Sequence, residues 1–351
     1  MRDITTVIES DFRIQGEWDA PLLSRLHRMF PHLADRTSVK DVLCGLGLFV
    51  LRSGCFAKVF VIAAEPVNVG MAIPAMNAMA DTIAPGSYLK AIMDDGSCER
   101  ITFHPGGVAL DPFHPRMRFS PTIVPGGFIH LGHLWVSHIN RLWADAIGGE
   151  LHLTLDASKV TPIDEEERER IEEGTISDLC WAGVEFDEVH RSYAIDREEI
   201  ESVLDPSPFV DAFRSGKSPY AEEVYEKSMM DFIGGYDLLV RGEDLLMTDK
   251  LYEFFWAMAN LPTTERFYIP MVCDPKGVKL NRSDAETWRY SIQCFRAEGW
   301  TPTEVMGLLM DHCLFDRDEP IIRNGRLNLA NFRPNPRIDL GDVPCEGGEE
   351  T

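Results

Sequence analysis

Arg118-Phe-Ser-Pro-Thr-Ile-Val-Pro-Gly-Gly-Phe-Ile-His130-Leu-Gly132-His133 passes from an apolar run through a proline-glycine turn into a segment with helical periodicity. The reading of this stretch decides the fold. Met117 to Val124 reads as a strand, Pro125-Gly126-Gly127 as the turn, and Leu131 to Ile147 as a helix whose apolar residues recur at 3.6-residue spacing. Downstream the alternation continues. Glu150 to Asp156 is a strand with leucines at every second position, Asp164 to Ala182 a charged helix, Tyr236 to Val240 a short buried strand and Leu245 to Asn260 a helix. Phe267 to Cys273 is a further strand and Asp284 to Ala297 a further helix. Strands separated by helices imply an α/β fold with a doubly wound parallel sheet and ligands at the carboxyl ends of its strands.

Upstream, residues 1–115 read as a smaller α/β or mixed domain, with helices near Pro21 to Phe30 and Val39 to Leu51, a strand at Lys58 to Ala63 and a small-residue helix at Val69 to Ala80. Proline and glycine clusters between Pro105 and Pro115 place a boundary near Pro115. Residues 116–315 then form the second domain, and 316–351 an extension that becomes a tail from Asn328, where three prolines and a Gly-Gly-Glu-Glu ending follow.

Composition narrows the function. A hydrophobic content of 44% supports a folded interior, and no run reaches the ~18 uncharged apolar residues of a membrane span. The acidic N-terminus lacks a signal pattern, so a cytoplasmic location is expected. Eight cysteines without a CxxC pair read as reduced core thiols. The net charge of −23 opposes contact with polyphosphates, which depends on Lys and Arg, and no basic cluster offsets it. The run Asp164-Glu-Glu-Glu-Arg-Glu-Arg reads as solvated helical ion pairs rather than a partner site. His104, His114, His130, His133 and His138 match no zinc spacing, and no structural zinc is expected.

A strand, a glycine turn and a helix start together make an anion site. The first helical turn offers unpaired amides and the positive end of a dipole, and glycines let phosphate approach the backbone. His130 and His133, three apart, can point at the same anion. Such a pair is equally compatible with a structural contact or half of a metal site.

Further motifs favour the first reading. The stretch resembles the RFAPSPTG…HIGH signature of the glutamyl- and glutaminyl-tRNA synthetase family, with HLGH in place of HIGH and two extra residues in the turn. Leu153-Thr-Leu-Asp156 resembles the strand that follows. Asp237-Leu-Leu-Val-Arg241-Gly-Glu-Asp244 resembles the family's strand and RGE-type turn, and Lys279-Leu280-Asn281-Arg282-Ser283 stands where its KMSKS loop belongs.

The resemblance covers roughly residues 116–310 and implies a class I, HUP-type Rossmann-like core that uses ATP with Mg2+ to activate glutamate or a related amino acid as its adenylate. It assigns His130, His133, Lys279 and Arg282 to the ATP phosphates and departing pyrophosphate. ATP contacts are implied at Gly127, Gly132, Asp244, Leu245, Met271, Val272 and Leu280. Amino-acid contacts are implied at Arg118, Ser120, Asp156, Tyr225 and Arg241. The second lysine of the loop is here Arg282, its serine is Asn281, and Asp156 is one methylene shorter than the family's glutamate, so the amino acid stays open.

The acceptor stays open too. Only about 53 residues separate Asp187 from Arg241, where the glutamyl enzymes carry a longer tRNA-binding insertion, and no anticodon-binding domain follows. The glutamyl-queuosine tRNA-Asp synthetases also lack that domain, but keep more of the acceptor-binding part and have no leader like residues 1–115. The expected reaction is therefore adenylate formation followed by transfer to tRNA or to a non-tRNA acceptor. The alternative is a non-catalytic paralogue that binds nucleotide or amino acid as a regulator or subunit.

Overall fold

The computed structural model describes residues 3–14, 20–53, 56–61, 67–124, 127–157, 163–191, 231, 234–247, 249, 264–280 and 285–340. Among the site candidates, Tyr225, Arg282 and the side chain of Asp156 lie outside the described residues, as does most of the helix expected at Leu245 to Asn260.

Two sheets of opposite character follow one another along the chain. Strands β1 (Asp3–Arg13), β2 (Leu48–Ser53), β3 (Phe56–Val61), β5 (Tyr88–Met93), β6 (Cys98–His104) and β7 (Gly107–Pro112) form an antiparallel sheet in the order β2-β3-β1-β5-β6-β7, and β4 (Val67–Asn68) also pairs with β1. Helices α1 (Ala20–Met29), α2 (Val39–Gly45) and α3 (Val69–Met79) share a core with it, built on Ile4, Leu26, Val42, Met76, Leu89 and Phe103. The expected helix over Val39 to Leu51 is thus two elements. Gly47, at φ +87°, ends α2 in a left-handed turn and the chain leaves as β2.

After Pro115 all pairing in the main sheet becomes parallel. Strands β8 (Arg116–Phe119), β10 (Glu150–Ala157), β11 (Glu188–Arg191), β12 (Leu238–Gly242) and β13 (Glu265–Ile269) lie in the order β11-β10-β8-β12-β13, with β9 (Thr122–Ile123) beside the end of β10. Numbered within this sheet the order is 3-2-1-4-5, the Rossmann arrangement, in which successive connections run outward from the centre in both directions. The strand expected over Met117 to Val124 is broken at Ser120-Pro121, since proline has no N–H for a ladder.

Helix α4 (Leu131–Ile147) is the crossover from β8 to β10. Leu131, Leu134, Trp135, Ile139, Trp143 and Ile147 form its buried stripe against Met117, Phe119, Leu151, Leu153, Leu155, Leu238 and Val240. At its start the Nδ1 of His130 accepts from the Gly132 amide at 3.1 Å. At its end Gly148 adopts φ 63° and the Gly149 amide donates back to Ala144. Helix α5 (Glu165–Trp181) begins as the sequence suggests, with Asp164 accepting from the Glu167 amide. Its first turns are solvated, but Glu172 and Asp178 further on are buried against Arg191 and Arg296.

Three expectations near the C-terminus change. Residues 285–297 form not one helix but a 3-10 stretch, Ala285–Tyr290, followed by α6 (Ile292–Ala297), because Ser291 accepts from the Cys294 amide and starts a new helix. Cys294 is disulfide-bonded and Cys44 and Cys180 are exposed, so the cysteines are not uniformly reduced core thiols. The stretch from Asn328 to Leu340 does not trail off. Phe332 and Ile338 are buried, the Cys273 amide donates to Pro336 and the Ile338 amide donates to Cys273. Prolines here set an extended path that packs, rather than a loose end. No helix among the described residues is long and apolar enough to cross a membrane.

Strands β8 and β12 pair only at Met117 and Leu238 and then separate. Val240, two residues on, is left without a strand partner on that side, and α4 supplies one. The side-chain amide of Asn140 donates to the Val240 carbonyl at 3.1 Å, and its oxygen accepts from the Val240 amide at 3.0 Å. Replacing Asn140 with Ala leaves two buried backbone groups unpaired and should cost about 3 kcal/mol, read as a lowered urea midpoint with unchanged m-value. A loss below about 0.5 kcal/mol would show that the sheet closes without it.

Candidate functional site

The divergence of β8 and β12 is the point where the sheet reverses its winding, so a crevice opens at the carboxyl ends of these strands. The sequence motifs all end there. On the β8 side, the chain reaches His130 through Phe128 and Ile129, both buried, and the Ile129 carbonyl accepts from the Ile292 amide. This fixes His130 at the helix start, where its ring lies 3.8 Å from that of His133, centroid to centroid. Because Nδ1 of His130 accepts from Gly132, neutral His130 carries its proton on Nε2, so that nitrogen is a donor. Gly132 is held to glycine by the same ring: a Cβ there would stand 3.0 Å from His130 Cε1 and 3.9 Å from Val272.

On the β12 side, Gly242 turns the chain into the 3-10 turn Glu243–Leu245. A Cβ at Gly242 would meet Asp244 Oδ1 at 2.5 Å and Met271 at 4.0 Å. After β13, the segment from Val272 to Leu280 folds back on itself. Cys273 bridges Lys279, the Val278 amide donates to the Asp274 side chain, and Gly277 sits at φ +82°. Leu280 is buried and Lys279 is paired with Asp244. The described part of this segment is a hydrogen-bonded turn clamped by the C-terminal segment, with Arg337 bridged to Cys273 and its guanidinium against Gly277.

The structure therefore brings together His130, Gly132 and His133 after β8, Gly242 and Asp244 after β12, and Met271, Val272 and Lys279 after β13. Gly127 stands in the turn before α4 and Leu245 at the end of the 3-10 turn. Asp156 lies at the end of β10, its backbone beside Thr122.

Arg118 and Arg241 lie on the opposite face of the sheet from α4, as strand alternation requires. Neither stands alone. Arg118 Nη2 is 2.6 Å from Asp231, Arg266 reaches both Asp231 and Asp249, Arg241 is 2.5 Å from Asp249, and Tyr268 donates to Asp249. Burial and the adjacent Asp249 carboxylate push the Tyr268 phenol well up, so it remains a donor. This chain of alternating charge is buried, with Asp231 and Asp249 at 0% and 1% exposure. Asp231, Asp249 and Arg266 were not evident from the motifs. The polar residues in Glu265-Arg-Phe-Tyr-Ile269 were the available signal, since a parallel strand covered by apolar layers on both faces would lack them. Even so, Arg118 keeps unused capacity: its Nε and Nη1 are buried without a hydrogen-bond partner among the described residues, and so is the hydroxyl of Ser120 just beyond it.

No protein-family model matches the chain, and no curated protein sequence matches it. Solved structures do show likeness. A glutamate-tRNA synthetase from Elizabethkingia anophelis aligns at 14% identity and TM-score 0.44, over 65% of this chain and 68% of that one. A tyrosyl-tRNA synthetase complexed with L-tyrosine from Archaeoglobus fulgidus aligns at 17% identity and TM-score 0.38, over 51% of this chain and 61% of its own. The tyrosyl-tRNA synthetase from Aeropyrum pernix gives 16% and 0.37, over 50% and 58%. At these values they do not assign a family to this chain.

The buried ionic chain makes a stability prediction. Removing the carboxylate in Asp231→Ala strands Arg118 and Arg266 and should destabilise the protein by about 3–5 kcal/mol. Asp231→Asn, which keeps hydrogen bonding but removes the charge, should lose less. Equal losses, measured by chemical denaturation, would show that charge compensation alone, and not shape or hydrogen bonding, governs the site.

Proposed function

We propose that the chain is an ATP-dependent ligase that activates an amino acid, glutamate or a related one, as its adenylate. The observation that carries the reading is the convergence of the motif residues on the two sides of the switch-point crevice, with His130 and His133 at a helix start facing the turn that holds Lys279. In the reaction, a carboxylate oxygen of the amino acid attacks the α-phosphorus of ATP, and the bond to pyrophosphate breaks. No nucleophilic side chain is required, because positioning and charge stabilisation supply the rate. The Nε2–H of His130 and the dipole of α4 suit phosphate oxygens, and Lys279 suits the departing pyrophosphate once it exchanges Asp244 for the nucleotide. Magnesium enters with ATP. The unpartnered Nε and Nη1 of Arg118 are charged donors that each suit a single carboxylate oxygen, the forked side of the guanidinium being engaged through Nη2 by Asp231.

Transfer of the aminoacyl group to tRNA or to a smaller acceptor follows in this reading, and the net charge of −23 favours an acceptor other than a full tRNA. A second reading rests on Lys279 and Arg118 already having carboxylate partners within the fold, as expected of a binding protein without turnover.

Pyrophosphate exchange across the twenty amino acids, with and without total tRNA, separates the two. Exchange with one acidic amino acid, reduced about 100-fold or more in Lys279→Ala while the unfolding midpoint is retained, is the expected result. ATP or amino-acid binding by calorimetry with no exchange for any amino acid would establish the second reading instead.

A further inference from the structure

On the polar face of the sheet, one strand over from Arg118, β10 and β11 carry a second group of polar residues. His152 and Glu188 are register partners on neighbouring strands, and His190 follows two residues on, so all three side chains leave the sheet on the same face. His152 Nδ1 lies 3.0 Å from His190 Nε2 and 3.8 Å from Glu188 Oε2, and His190 Nε2 lies 3.1 Å from that same oxygen. Three edges of these lengths define a triangle with a central point about 2 Å from every corner, the bond length of zinc to imidazole nitrogen or carboxylate oxygen.

The hydrogen-bond geometry around the cluster points the same way. His152 is almost fully buried, and its Nε2 lies 3.2 Å from Glu150, a carboxylate that is itself paired with Arg116. With its proton on the Glu150 side, His152 presents a lone pair from Nδ1 to the centre of the triangle. Glu188 presents another. A single proton on His190 Nε2 cannot serve both acceptors, whereas a dication meets three lone pairs at once, with His190 moving its proton to Nδ1. A carboxylate holding the far nitrogen of a ligating histidine is the usual support for such a ligand.

We infer that His152, Glu188 and His190 form a binding site for a divalent transition metal of the zinc class, distinct from the ATP contacts of the proposed reaction and one strand over from Arg118. Two imidazoles and one carboxylate favour zinc, cobalt or nickel over magnesium and calcium, which prefer all-oxygen shells. Three protein ligands leave a fourth position for water. The site ties β11, the edge strand, to β10 beside it. Spacing hides the site in the sequence, because 35 residues and a helix lie between His152 and Glu188, the nearer of the other two ligands.

The test uses the full chain after chelator treatment, titrated with zinc chloride by calorimetry and, in parallel, with cobalt chloride by visible absorption. One zinc per chain is expected, with no uptake of magnesium at the same concentration. His190→Ala and Glu188→Gln change residues that are 42% and 59% exposed, so both variants should match the wild-type thermal unfolding in EDTA. Each should weaken zinc at least 10-fold and abolish the cobalt bands, and Glu150→Gln should weaken zinc by about 10- to 100-fold through the orientation of His152. Absence of zinc binding by the wild type, or undiminished binding in both ligand variants, which would place the ion on exposed thiols such as Cys44 or Cys180, overturns the inference.

Discussion

Where β8 and β12 part after one paired position, the amide and carbonyl of Val240 face an apolar helix, and the carboxamide of Asn140 meets them both. A parallel sheet can divide only if the backbone groups it exposes find other partners, because an unpaired buried group costs as much as a packing contact stabilises. Asn140 therefore permits the crevice. It also couples α4 to β12, so that the helix start bearing His130 and His133 keeps its place relative to the turn bearing Asp244. The rest of the candidate site is arranged around that fixed relation.

The two faces of the parallel sheet divide the physical tasks. One is apolar and buries α4, which sets the position of the helix start. The other carries Arg118, Arg241, Arg266, Tyr268, His152 and His190, and its buried charges alternate in sign from Arg118 to Arg241. Such pairing is a condition of burying so many guanidinium groups rather than a source of stability in itself, since desolvation offsets most of the attraction. What it provides is orientation: a guanidinium held by one carboxylate keeps its remaining donors aimed in a fixed direction.

Contacts between distant parts of the chain hold these layers together. Lys90 of the antiparallel sheet pairs with Asp237, whose other oxygen accepts from the Arg116 amide at the start of β8. The hairpin of β14 (Ile322–Arg323) and β15 (Arg326–Leu327) brings the Gly325 carbonyl to the indole N–H of Trp143 on α4 and lies against Ile92 of β5. Further along, the segment that bridges Arg337 to Cys273 braces the turn carrying Lys279. The antiparallel region and the C-terminal segment thus act on the ends of the parallel core, although the reactive motifs contain no residue from either.

By itself the sequence determined the local pieces. Helix α4 was legible from end to end, because its apolar stripe, His130 start and Gly148 stop are all short-range signals, and β10 was legible from leucines at alternate positions. The turn after β12 was legible as well, since Gly242 follows an apolar run and precedes two acidic residues. Elements with weaker punctuation were misplaced, as when Gly47 divided an expected helix and Ser291 divided another. Only the tertiary structure decided which charges neutralise each other, that Asn140 stands in for a strand, and that His152 meets His190. The physical reason is that periodicity and capping act within a few residues of chain, whereas a buried polar group is satisfied by whatever the packing brings within about 3 Å, and that partner carries no mark in the local sequence.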